Sequence, residues 1–398
     1  MKEKFQKYFK GDTAVWIIVM FLSLVSMLTV YSATGTLAYK KMGGNSLFYL
    51  IRHGSFLLFG IGIIFVIHRI DFRIFKKLTK LLLYLSVGLL IFTLLSGVRL
   101  NSASRWVSIM GVQFQTSDLA KITLVMYVAM VLGDNQDKID DPKAAFWPIV
   151  KWVGVICLLI FGADFSTAAM LFFICCVIMY IGGIKLALLG KLFGCIFAGF
   201  AFMLLLAYAV PQISNIGRVA TIKARIESFI GKGEHSDAEH DFQADHSKMA
   251  IVHGGITGQG PGNSTQRNFL PHPYSDFIYA IIVEEWGLLG GLFVLVLYMF
   301  LLFRVRVIVK GCRSSFGTFL CIGLGISLVI QAFINMAVAV NLFPVTGQTL
   351  PFVSMGGTSV IFTSLAFGII LNVSRHSANG DLAVQESVID KNETKTDN

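Results

Sequence analysis

The chain has 398 residues, 55% of them hydrophobic and only 14% charged, with 34 Phe and a formal net charge of +10. Soluble domains carry about a quarter charged residues, so this composition excludes an ordinary water-soluble globular protein and makes lipid the solvent for most of the chain. The basic excess sits in short loops beside apolar runs, which fits a positive-inside membrane topology and excludes a nucleic-acid partner.

A membrane helix needs roughly 20 mainly apolar residues. Ala14 to Ser32 supplies one directly after Lys2, Lys4, Lys7 and Lys10. It is too long for the apolar stretch of a cleaved signal peptide, lacks a small-residue cleavage site after it, and is followed by many more spans. Further runs lie at about Leu50 to His68, Leu78 to Leu95, Thr116 to Leu132, Phe146 to Gly162, Thr167 to Gly183, Leu192 to Val210, Phe277 to Phe303, Phe316 to Val340 and Thr358 to Val373. The expectation is an all-α polytopic membrane protein of about ten transmembrane helices, with residues 1–13 and 374–398 cytoplasmic and 14–373 forming the membrane domain. The polar tail from Ser374, poor in aromatics, reads as disordered. A cytoplasmic N-terminus puts Arg69, Arg73, Lys76 and Lys77 inside, together with Lys185, Lys191, Arg304, Arg306, Lys310 and Arg313, leaving Lys40 and Lys41 as outer exceptions. The six cysteines show neither metal-type nor disulfide-framework spacing and read as small core hydrophobes.

This topology leaves three larger connections outside: Ser96 to Gln115, Pro211 to Ser275 between helices 7 and 8, and Asn341 to Gly357. The middle one is far longer than a helix connection requires, as functional loops often are. Within it, Ile216, Val219, Ile222, Ile226 and Phe229 recur at helical spacing while Arg218, Lys223 and Arg225 occupy other faces, the pattern of an interfacial amphipathic helix. It serves either as a membrane anchor or as a cationic surface for an anionic diphosphate lipid. The glycine-rich stretch from Gly254 to Gly262 lacks the strand and helix context of a nucleotide loop, so no nucleotide cofactor is expected. What remains is a tightly turning backbone able to approach a ligand closely.

Downstream, Pro271 and Pro273 keep the chain out of helix until the next span begins. Asp276 then stands at a helix start, where capping and general-base catalysis are both open and mutually compatible. Glu284 and Glu285 lie two turns deeper, where a carboxylate is costly unless paired or facing a polar interior. At 100° per residue, Glu284 falls nearer the face of Asp276 and is the better candidate to line the same cleft. Asp118 and Lys121 are one turn apart and make a local ion pair. With Asp164, Arg105 and Arg225, they offer a mixed-charge cavity for a pyrophosphate and a divalent cation, Mg2+ or Mn2+, whose ligands the sequence leaves unassigned.

At these residues the chain resembles the SEDS family (shape, elongation, division and sporulation) of integral-membrane peptidoglycan glycosyltransferases. The resemblance runs from the first span to about Ser374. It rests on Phe269-Leu270-Pro271 with Ser275-Asp276-Phe277-Ile278, on Glu284-Glu285-Trp286-Gly287, and on Leu342 to Gly347 with Leu350 to Gly357. It implies use of lipid II, formation of β-1,4 glycan strands and release of undecaprenyl diphosphate, with Asp276 as the essential aspartate. It further implies substrate contacts for Arg105, Lys121, Arg225, Gln243, Ser247 and Gln266, and cavity or structural roles for Asp118, Asp164, Glu284, Glu285 and Ser354. Expected partners are the nascent glycan, a class B penicillin-binding protein transpeptidase and other division proteins. His272 and Tyr274 replace the Glu and His common in the family, so Asp276 works without them. The wording of this loop is nearer the division (FtsW) branch than the elongation (RodA) branch. A flippase for the lipid-linked precursor is the other reading, but its acids should line a path through the bilayer, whereas Asp118, Asp164 and Asp276 all map to the outer side.

Overall fold

The computed structural model describes residues 10–96, 98–100, 103–109, 112–209 and 238–396. The chain opens with α1 (Thr13–Ala33), started by Asp12, whose side chain accepts from the backbone N–H groups of Ala14 and Val15. Then come a short α2 (Gly35–Met42), α3 (Ser46–Ile67) and α4 (Phe72–Ser96). A three-stranded antiparallel sheet follows, β1 (Val98–Leu100), β2 (Ala103–Ile109) and β3 (Val112–Gln115), in the order β1-β2-β3. Trp106 sits opposite both Val98 and Gln115. The rest is helical: α5 (Thr116–Asp134), α6 (Phe146–Phe161), α7 (Phe165–Ile181), α8 (Leu186–Ala209), α9 (Ala238–Gly254), α10 (Ile278–Lys310), α11 (Ser315–Ala339) and α12 (Gly357–Thr396).

Seven of these helices are long and apolar enough to cross a membrane: α1, α3, α4, α5, α10, α11 and α12 up to Ser377. Three shorter apolar helices accompany them, α6, α7 and the Leu186–Phe202 part of α8. Their positions follow the apolar runs of the sequence, because an uninterrupted run of this length has to close its backbone hydrogen bonds internally. In α5 the apolar window is 89% buried, against 22% in α3, which makes α5 the central pillar. It packs against α4, α6, α7 and α11, while α12 packs along α3. Outward faces are lined by exposed side chains such as Leu58, Leu81, Leu158 and Leu292, as expected where the solvent is hydrocarbon.

The structure departs from the sequence reading in several places. The helix α12 continues to Thr396, past Ser374, where a disordered tail is expected. No proline interrupts that segment, and a helix already nucleated in a span propagates one residue at a time at little cost. The sheet and α9 are further elements not anticipated in the outer connections. The expected amphipathic helix from Asn215 to Lys232, with Arg225, lies outside the described residues.

The most consequential departure is in α10, where Gly287 adopts φ 69°, ψ −173° and breaks the helix. The break strips the carbonyls of Glu284 and Glu285 and the N–H groups of Leu288 and Leu289 of intrahelical partners. The glycine-rich loop after α9 replaces those partners. Gln259 N donates to Glu284 O (3.0 Å) and Gly260 N to Glu285 O (2.9 Å). In return Leu288 N donates to Gly255 O (2.9 Å) and Leu289 N to Ile256 O (3.3 Å). Of the loop's glycines, Gly254 and Gly258 serve close approach to the backbone of α10. A Cβ on Gly258 (φ 83°) would lie 2.2 Å from Glu285 O, whereas one on Gly262 (φ 82°) would meet nothing within 4 Å. Both Gly258→Ala and Gly262→Ala incur the strain of a left-handed conformation, about 1 kcal/mol. Only Gly258→Ala also collides with backbone. It should lower the melting temperature of the purified protein well below that of Gly262→Ala, and equal melting points would refute the splice as a stabilising contact.

Candidate functional site

The turn before α10 is shaped by Pro271 and Pro273, with His272 at φ 55° between them. The N–H groups of Ser275 and Asp276 both donate to His272 O (3.0 and 3.2 Å), so the chain is still turning at Asp276. The N-cap of α10 is Phe277, and no side chain caps it. Asp276 thus stands one residue before the N-cap. It is half-buried, and the Ser275 hydroxyl donates to its Oδ1.

Two groups of contacts hold this turn. Asn335 of α11 donates from Nδ2 to Asp276 O (2.8 Å) and to Gln348 O (2.7 Å), tying the turn to the connection between α11 and α12. That connection grips the turn again: Ser354 Oγ donates to Ser275 O (2.6 Å), and Met355 N donates to Tyr274 O (2.8 Å). Gly347, at φ 69°, flanks the carboxylate so closely that a Cβ there would sit 3.7 Å from Asp276 Oδ2. Burial, reinforced by the charges of Asp276 and Tyr49, pushes the Tyr274 hydroxyl above the ordinary tyrosine range.

The same connection collects the other acids of the sequence reading. Gln348 Nε2 donates to Thr167 Oγ1 (2.7 Å), and Thr167 N donates to Asp164 Oδ1 (3.1 Å), Asp164 being the N-cap of α7. Lys121 forms a buried ion pair with Asp118 at 2.7 Å and donates to Gln331 Oε1 (3.2 Å). Gln331 Nε2 in turn donates to Thr349 O (2.9 Å). A cavity of about 30 Å3 lies beside Asp118, Lys121 and Gln331, large enough to hold water. Asp118 with Lys121, Asp164 and Asp276, from three separate parts of the chain, are thus linked by hydrogen bonds to the one loop that carries Ser354.

Other expected site residues are placed elsewhere. Glu284 is fully buried and does not line a cleft with Asp276. It accepts from Ser264 Oγ, Thr265 N (3.0 Å), Thr265 Oγ1 (3.0 Å) and Gln266 N (3.2 Å), pinning the start of the loop that leads to Asp276. The 100° count fails because the helix begins after Asp276, not at it. Glu285 turns toward α1, where it accepts from Ser32 Oγ, and Arg267 Nη1 donates to the same Ser32 oxygen (2.9 Å). Gln266 is buried and bonded to His246 Nδ1 (2.6 Å), which stacks on Phe269. Ser247 Oγ donates to Ala339 O (2.8 Å), and Gln243 is half-buried one turn earlier on α9. Arg105 lies on β2, with its side chain outside the described residues, as is the whole of Arg225. Among the described residues no three His, Cys, Asp or Glu side chains form a metal cluster. Asp118 is engaged with Lys121, and Asp164 with the cap of α7. The sequence reading missed Gln331, Asn335 and Gln348. The first two are amides one turn apart in an otherwise apolar span, a costly placement that was the available signal.

The family model for FtsW, RodA and SpoVE, described as "Cell cycle protein", matches residues 12–379. The chain belongs to this SEDS family. A probable peptidoglycan glycosyltransferase FtsW of Geobacter sulfurreducens is 30% identical over 367 residues, covering 91% of this chain and 95% of the relative. Stage V sporulation protein E of Bacillus subtilis is 32% identical over 370 residues, covering 92% and 97%. Among solved structures, a chain from a peptidoglycan synthase complex that coordinates polymerization and crosslinking aligns with TM-score 0.68 at 23% identity, covering 92% of this chain and 98% of that one. The rod-shape-determining protein RodA of Thermus thermophilus aligns with TM-score 0.62 at 22% identity, covering 92% and 97%. At these identities the structures establish that this SEDS chain has the fold of a multi-pass membrane protein.

The geometry around Glu284 separates a scaffold role from a catalytic one. Glu284→Ala leaves the Ser264 hydroxyl and the Gln266 N–H buried without their acceptor, at about 1–3 kcal/mol for each group lost, and also removes the acceptor of the more exposed Thr265. Its melting temperature should fall sharply, whereas Glu284→Gln, which keeps one acceptor oxygen, should fall less; an unchanged melting temperature for Glu284→Ala would rule out the scaffold role.

Proposed function

We propose that this protein is an inverting peptidoglycan glycosyltransferase that polymerises lipid II into β-1,4 glycan strands at the outer face of the cytoplasmic membrane during cell division. The observation that carries the reading is Asp276, a half-buried carboxylate whose backbone is fixed by Asn335 and by the connection between α11 and α12. Such a group is positioned by its main chain while its carboxylate keeps access to a substrate. The similarity to FtsW proteins supports the polymerase activity and the division role.

In this mechanism Asp276 takes the proton from the acceptor sugar's 4-hydroxyl as that oxygen attacks the anomeric carbon of the donor. The bond from that carbon to the diphosphate oxygen breaks, the diphosphate leaves with the electron pair, and the configuration at the carbon inverts. A positioned base of this kind contributes about 10²–10⁴-fold in rate. Arg105 and Arg225, from the first two of the larger connections read in the sequence, are the cations we assign to the departing diphosphate. Lys121, Ser247 and Gln266 are each bonded within the protein and act as supports of the fold around the site in this reading.

The seven long and three shorter apolar helices support ten crossings, with both termini cytoplasmic and the 211–275 connection outside. A class B penicillin-binding transpeptidase is the partner this reading implies, supported by the similarity to a chain from a synthase complex that couples polymerization to crosslinking. Purified protein, alone and with that partner, should polymerise lipid II. Asp276→Ala should reduce polymerisation by at least about 10²-fold while retaining its melting temperature and partner binding. Full polymerisation by a folded Asp276→Ala protein would overturn the assignment.

A further inference from the structure

A second site lies far along α5 from Asp276, near the C-terminal end of that helix and the start of α6. Here an open groove of about 570 Å3 is lined by Tyr127, Lys143, Trp147, Pro148, Lys151 and Trp152. Its volume falls within the range of small-molecule sites, about 300–1,000 Å3. The floor is aromatic: Trp152 meets Tyr127 edge-on at 6.2 Å and Tyr84 of α4 at 5.3 Å. At the rim Trp147 is 60% exposed, and Lys143 and Lys151 are both exposed.

The charges are unbalanced toward cation. No carboxylate lines the groove. Of the acids in the α5–α6 connection, Asp134 pairs with Lys76 and Asp140 with Lys185 at 3.2 Å, while Asp141 accepts from the backbone N–H of Lys143 at 2.9 Å and Asp137 is exposed; none of the four lines the groove. Among the described residues, neither Lys143 nor Lys151 makes an ion pair. Lys151 rises from an apolar helix, its Nζ 6.0 Å from the Trp152 ring centroid. A cation there is costly unless an anion or headgroup water meets it. Exposed tryptophan beside such a cation marks the headgroup level of a bilayer. Beyond it α6 continues with lipid-facing side chains such as Leu158.

We infer that this groove binds an anionic phospholipid, its phosphodiester between Lys143 and Lys151 and its acyl chains running along the Trp147 and Trp152 side of α6. Free phosphate matches the lysines but leaves the aromatic floor unused, and a zwitterionic lipid matches the floor while adding a cation beside two others. With a cytoplasmic N-terminus the groove faces the cytoplasmic leaflet, whose anionic lipids are held by basic pockets between helices.

The test uses the full chain in nanodiscs of phosphatidylcholine doped with phosphatidylglycerol, followed by native mass spectrometry of the lipid that stays bound. The unaltered protein should retain phosphatidylglycerol preferentially. Lys143→Gln or Lys151→Gln should each reduce that preference about fivefold and the double change about thirtyfold, at about 1 kcal/mol per lysine near a membrane surface. The Lys143→Arg, Lys151→Arg double variant should keep it, and melting temperatures report whether each variant folds. A preference undiminished in the folded double-Gln protein would overturn the assignment. So would equal retention of the two lipids by the unaltered chain, or full competition by millimolar inorganic phosphate.

Discussion

The carbonyls of Glu284 and Glu285 have to be hydrogen-bonded, and much of the structure follows from how that is done. Inside a bilayer water cannot substitute for a missing partner, so a helix broken at Gly287 persists only if other backbone closes the gap. The loop from Gly255 to Gly260 closes it from both sides of the break. Side chains could not be tolerated there: a Cβ on Gly254 would meet Val283 O at 2.0 Å and one on Gly287 would meet Ile256 O at 2.2 Å. The splice locks α9 to α10 and brings the following residues back over the top of the broken helix. The Glu284 and Glu285 side chains then extend the same anchorage, one toward Ser264 to Gln266 and the other toward α1.

The path to Asp276 is suspended between that anchorage and a second one. Gln331 and Asn335 are buried amides in a span, each costly on its own, and the side-chain nitrogens of both donate to carbonyls of the loop from Gln348 to Thr349. The Asp118–Lys121 pair is expensive to desolvate, and its link to Gln331 gives it further hydrogen bonding that offsets part of this cost. These polar groups brace one loop rather than form a channel, which agrees with a site at one end of the bundle more than with a path across it. Asp276 sits where the two supports meet, half-buried and held by its carbonyl.

Much of the site was visible in the sequence as residues, less so as roles. Asp118 with Lys121 reads directly as an ion pair because i and i+3 are neighbours on any helix. Asp164 and Ser354 stand out in the sequence, but not that Ser354 accepts from Leu350 N or that Asp164 is linked to Gln348 through Thr167. Glu284 was assigned to the wrong surface because the turn through Phe277 shifts the start of the helix. The glycine-rich stretch was read as reaching for a ligand, since flexibility alone does not say what the backbone approaches.

Whatever depends on neighbours along the chain is legible in the residues alone. The apolar runs define where the helices lie to within a few residues, because an apolar segment in lipid has no other way to satisfy its backbone. The prolines before Asp276 likewise force a turn wherever the chain goes next. Only the tertiary structure decided that Gly287 breaks a helix, that Glu284 is a brace, and that Gln348 meets Thr167 across 181 residues. Each of these is a hydrogen bond between segments distant in sequence. Its existence depends on which surfaces pack together, and the residue types on either side leave that open.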